Sequence, residues 1–158
     1  GGSTMGTQGE DFATIYAREL DRLAGEIRAY SSEAEIWTVS GDQKNSPGTL
    51  VLHLCGNLMH FIGAGFGVTA YIRDREAEFA DRCTRNELLT EIADTREIVT
   101  RALATLSDEV MDGRYPGRPP SSMDGVGTRL FLMHLLWHIG WHEGHIYYHR
   151  LGGGAESL

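Results

Sequence analysis

The chain has no surplus of positive charge: 14 basic side chains stand against 22 acidic ones, for a net charge of −8. A nucleic-acid footprint needs a basic face, so no nucleic-acid partner is expected. Cysteine is nearly absent. Cys55 and Cys83 are the only two, and they form neither a metal-spaced pair nor a disulfide framework, which fits a reduced, cytoplasmic setting. Long apolar runs are missing too. The most apolar stretch, Leu130–Trp141, is too short to span a bilayer and carries two histidines, so it reads as a buried core helix and no membrane partner is expected. No basic segment followed by an apolar one marks a secretion signal. Alternating strand patterns and internal repeats are also lacking.

What is present is an ordinary globular mixture, 41% apolar and 23% charged over 158 residues, enough for one domain with a proper core. Gly1-Gly2-Ser3-Thr4 before Met5 reads as an appended cloning remnant, leaving residues 5–158 as a single domain.

Four helices are expected. Phe12, Tyr16, Leu20, Leu23, Ile27 and Tyr30 recur at steps of four and three, placing a first helix over about Asp11–Tyr30. Residues 31–46 are polar and irregular, with Ile36, Trp37 and Val39 as candidate loop anchors. Asn45-Ser46-Pro47 is a helix start, a capping side chain ahead of proline in the first turn. A second helix then runs to about Ile62, with Leu50, Leu54, Leu58 and Phe61 on its apolar face. Thr84-Arg85-Asn86-Glu87 is a capping box opening a third helix over Arg85–Leu106, with Leu88, Ile92, Val99, Ala102 and Leu106 inward. Residues 107–127 hold three of the four prolines and read as a loop. A fourth helix runs from about Thr128 to Leu151 and stops at a glycine run. Two long connections among four helices favour an all-α four-helix bundle with at least one crossover.

Histidine is unevenly placed. Five of the seven lie on the fourth helix, His134, His138, His142, His145 and His149, within an arc of roughly 80°. They cannot share one ion, because fifteen helical residues span about 22 Å and metal–nitrogen bonds are about 2 Å. One neighbouring pair four apart is the natural unit, and His134/His138, His138/His142 and His145/His149 all qualify. A third ligand comes from the second helix, as His53 or His60, seven residues apart with Asn57 between them. Cys55 points about 200° away from His53 and cannot join the same ion. Three imidazoles with open positions are the arrangement of a catalytic metal rather than a closed structural one.

Other metal chemistries fit less well. No histidine has glutamate three positions before it, as a di-iron bundle requires. His142-Glu143-Gly144-His145 places its histidines three apart, where a zincin needs four. Bis-histidine haem stays open on spacing, without a cysteine attachment motif. Nitrogen ligands suit zinc, nickel, iron and copper alike.

His53-Leu54-Cys55-Gly56-Asn57-Leu58, Arg73-Asp74-Arg75-Glu76-Ala77-Glu78-Phe79 and His138-x-x-x-His142-Glu143-Gly144-His145-Ile146 together resemble the DinB-like metalloprotein superfamily, over nearly the whole chain after residue 10. The resemblance implies a four-helix bundle with up-down-down-up connectivity and long crossovers. It implies one divalent transition metal, zinc or nickel first and iron next, held by His53, His138 and His142. Many members have glutamine where this chain has His145. The resemblance also implies homodimers.

Three neutral imidazoles leave the ion's charge uncompensated, so a bound thiol or water would ionise readily. One expectation is an S-transferase or isomerase that activates a low-molecular-weight thiol, as in the bacillithiol- and mycothiol-dependent relatives. The alternatives are a metal-dependent hydrolase and a non-catalytic metal-binding stress protein. Asn57, His60, His134 and His145 are candidates to line the pocket of a small-molecule substrate. Trp137, Trp141 and Tyr148 share a neighbouring stripe and are expected in core or dimer packing. Glu143 sits off the metal face and is not assigned as a base.

Overall fold

The computed structural model describes residues 5–152. Residues 1–4, read above as a remnant, and the last six residues of the expected domain lie outside that range.

Among the described residues every regular element is helical. The first helix, α1, spans Gln8–Ala29 and starts earlier than Asp11. Thr7 and Glu10 form a reciprocal capping box, each side chain taking the other's backbone N–H at 3.1 Å, which satisfies two of the orphan donors of the first turn. Tyr16, Leu20, Leu23 and Ile27 are fully buried, as the spacing required.

A short helix, α2, spans Glu33–Ile36 in the segment expected to be irregular. Ile36 is buried and the Trp37 ring packs flat on Gly48, where a Cβ would lie 2.6 Å from the ring. Val39 is exposed and anchors nothing, because it lies beyond the turn that holds Trp37.

The second expected helix is α3, Pro47–Leu58. Ser46 caps it by accepting the Thr49 N–H at 3.2 Å, with Pro47 in the first turn. Beyond Leu58 the helix does not end but widens into a π-turn over Met59–Ala64. There the Gly65 N–H reaches back to the His60 carbonyl, and the Phe61 carbonyl accepts the Tyr115 hydroxyl at 2.6 Å. Gly65 leaves room for that hydroxyl, since a Cβ would lie 2.0 Å from it. Gly67, with φ +74°, turns the chain away.

The connection that follows holds α4, Arg75–Ala80, capped by Asp74. The third expected helix is α5, Arg85–Ala104, capped by Thr84. Its inward residues are those expected, joined by Leu103 and Thr95, with Leu106 only half-buried. α5 packs along α1, and Gly9 permits the close approach, as a Cβ there would lie 2.3 Å from the Leu103 carbonyl oxygen. The expected loop 107–127 contains a short helix, α6, over Asp108–Asp112, and a 3₁₀ turn, Ser121–Met123.

The last helix, α7, spans Thr128–Arg150. It packs on α1, α3 and α6, and two tyrosines fix its height: Tyr16 of α1 donates to the Leu132 carbonyl at 2.5 Å, and Tyr30, just past the end of α1, to that of Ile146 at 3.2 Å. Its buried face carries Phe131, Leu132, Leu135, Ile139 and Ile146. The opposite face is open. Leu130, Met133, Trp137, Trp141 and Tyr148 are all about half exposed, which corrects the reading of Leu130–Trp141 as a buried core helix and takes Trp137, Trp141 and Tyr148 out of the core. Apolar residues of α7 thus lie both on the face packed against its neighbours and on a face left exposed. No described helix is long and apolar enough to cross a membrane.

Candidate metal centre

Three imidazoles from two helices converge where α3 meets α7. His53 on α3 and His138 and His142 on α7 each offer a ring nitrogen, all within 4.8 Å of one another. The Nε2 atom of His138 lies 3.3 Å from that of His53 and 3.1 Å from that of His142. Ligands at about 2.05 Å in a tetrahedron stand roughly 3.3 Å apart, so the spacing fits one shared ion. Without a cation the arrangement is poor, because three aromatic nitrogens cannot all be satisfied by hydrogen bonds to one another.

The rings are kept neutral by their surroundings. Burial holds His138 down to about 3, with His142 and His53 adding to the effect. Burial likewise holds His142 down to about 4, helped by His53 and His145. His53 is lowered by burial as well, with Glu78 opposing. All three lone pairs are therefore free for a metal at neutral pH.

One ligand has a built support. His53 Nδ1 donates to Glu78 Oε1 at 3.2 Å, which leaves Nε2 unprotonated and facing the other two rings. Arg73 grips the same carboxylate with two bonds of 2.8 and 2.9 Å. Glu78 is buried on α4, and the space it enters exists because residue 56 is glycine: a Cβ there would lie 2.1 Å from Glu78 Oε2. The exposed ring of Phe79 packs 5.3 Å from that of His53. Sequence reasoning gave Glu78 no role. Its signal was its place in the Arg73–Phe79 stretch; at 25 positions after His53 it is too far for any local spacing rule. The Nδ1 atoms of His138 and His142 are buried and have no protein acceptor.

The remaining histidines divide by function. His60, on the π-turn, stays outside the converging set, half-buried with its ring against Phe61 at 4.7 Å. His134 stacks over Phe131 and faces Trp137. His145 is exposed, between the rings of Trp141 and His142. His149 is structural: its ring nitrogens meet the Tyr30 hydroxyl at 2.9 Å and the Thr38 carbonyl at 2.8 Å, so the His145/His149 pair does not converge. Asn57 is buried one turn after His53, and its Oδ1 has no protein partner. Glu143, whose carboxyl lies beside that of Glu19, is pushed up to about 9 by burial and by that neighbour. It lines a separate groove between α1 and α7.

Compared with models of protein families, with curated proteins and with solved structures, the chain finds no match.

Proposed function

We propose that the protein is a DinB-like four-helix bundle, connected up-down-down-up, that binds one divalent transition metal, zinc or nickel, through His53, His138 and His142. The observation that carries this is the convergence of three neutral imidazole nitrogens at 3.1 and 3.3 Å spacing. The long helices α1, α3, α5 and α7 stand for the four members of the bundle, and the long segments before and after α5 for its connections. The open apolar face of α7, with Trp137 and Trp141, suits a second copy of the chain.

The chemistry we infer is S-transfer or isomerisation with a low-molecular-weight thiol. A divalent ion at three neutral ligands supplies, when bound, a Lewis acid that lowers the pKa of a thiol brought to it. The protein's own groups fit this better than hydrolysis. Hydrolysis calls for a general base beside the centre, and the nearest carboxylate, Glu78, is engaged by both Arg73 and His53. Glu78 and Arg73 orient one ligand, and Asn57 on α3, His60 on the π-turn that continues it and His145 on α7 stand on the same elements as the triad.

The test compares metal-loaded with metal-stripped protein for consumption of small thiols by epoxides, alkyl halides and maleyl compounds. Metal-dependent thioether formation or isomerisation supports the reading. Metal uptake without turnover on these or on ester and amide substrates replaces it with a non-catalytic binding role.

A further inference from the structure

Lys44 is the only lysine in the sequence. It lines a cleft of about 210 Å³ that His142, one of the three converging imidazoles, also lines. Gln43, Asn45 and His145 line the same cleft, above the buried side chain of Leu50. Lys44, Gln43, Asn45 and His145 can each donate hydrogen bonds. No acidic side chain among the described residues lines it, and none of the described ion pairs uses Lys44. In a chain with 22 acids, a group of donors around a lone ammonium, free of carboxylates, is a local inversion of charge that favours an anion.

We propose that this cleft takes the carboxylate of a small molecule whose other end reaches the histidine triad, with Lys44 as its paired charge and the carboxamides of Gln43 and Asn45 as orienting donors. The proposal rests on the metal-site reading above and adds a substrate class to it: a short carboxylate-bearing compound, such as an acidic thiol. The placement is firm because residues 43–45 run directly into the Ser46 cap of α3, the helix that carries His53. The carboxylate site thus lies directly before the helix that carries His53. A cleft of 210 Å³ is smaller than a drug-sized pocket and fits a group of a few atoms.

Two measurements test it. Zinc-loaded protein is titrated calorimetrically with 3-mercaptopropionate and with 2-mercaptoethanol, which differ in the carboxylate. Lys44→Ala should weaken 3-mercaptopropionate about tenfold, the worth of one charge-assisted hydrogen bond, and weaken 2-mercaptoethanol far less at unchanged zinc content. Equal weakening of both thiols, or of neither, overturns the proposal. Separately, reductive methylation with ¹³C-formaldehyde gives a single side-chain resonance, that of Lys44, besides the amino terminus. Succinate should shift it and neutral succinamide should not, with or without zinc. Failure to take up zinc defeats the triad reading alone, and the succinate response then decides the cleft. No succinate shift in protein that binds zinc normally defeats the cleft and leaves the triad standing.

Discussion

Gly56 and Glu78 occupy one space: the hydrogen on Gly56 is all that separates the helix backbone from the carboxylate, and a Cβ would come within 2.1 Å of Oε2. The glycine one turn past Glu78's partner His53 is therefore part of the candidate metal site without belonging to the histidine triad.

Gly56→Ala should push the carboxylate off His53 and free that ring to rotate or change tautomer. Loss of such an outer hydrogen bond costs roughly tenfold to a hundredfold in metal affinity. Competition against a chromophoric chelator measures it, with circular dichroism to confirm that the helices persist. Glu78→Gln should give a comparable loss with no steric change. Full affinity in both variants would remove Glu78 from the site.

The ligand assignment is checked by metal content. His53→Ala, His138→Ala and His142→Ala should each lose stoichiometric metal, whereas His60→Ala and His134→Ala should keep it. A His60→Ala protein that comes out empty while His53→Ala stays loaded would move the α3 ligand by two turns.

His149 predicts the opposite pattern. Its ring joins the Tyr30 hydroxyl at the end of α1 to the Thr38 carbonyl just past α2, so His149→Ala should cost about 1–3 kcal/mol of stability and leave metal stoichiometry unchanged. Denaturant unfolding of the metal-free protein reads the first part and elemental analysis the second.

Much of this was legible in the sequence. The apolar steps of α1 and α5 placed Tyr16, Leu20, Leu88 and Val99 correctly, because one covered face per helix is what a period near 3.6 records. The convergence of His53 with His138 and His142 was only partly legible. Spacing put histidines on the right faces, and pairwise geometry between two distant helices had to come from the fold. The elements α2, α4 and α6 span at most six residues each, under two turns and too short for periodicity. The π-turn left no trace, since its apolar residues continue the α3 pattern. The exposed side of α7 was misread because apolar composition does not tell which side a neighbour covers.

Thiol chemistry supplies a pH test. Burial first, and then the acids Glu87, Glu91, Asp81 and Glu33, raise the Cys83 thiol above its ordinary value. A raised pKa means less thiolate at pH 8, so Cys83 should alkylate more slowly than free cysteine there and accelerate as pH climbs past the usual thiol range. Cys55 is fully enclosed, is pushed up to about 12 by burial, and should react only on unfolding. Mass spectrometry of iodoacetamide time courses between pH 7 and 10 separates the two. Rapid labelling of Cys55 in the native state would contradict the packing of α3.

The half-exposed indoles of α7 sit against histidines of the same helix, Trp141 at 5.2 Å from the His145 ring and Trp137 at 5.6 Å from that of His134. Trp137 immediately precedes His138 in the chain and Trp141 immediately precedes His142, so they are built-in optical gauges. A metal with an open d shell, such as nickel or copper, quenches indole emission at this range, while zinc with its filled shell does not. The light given off by two side chains the fold leaves uncovered would thus distinguish which kind of ion the centre has taken.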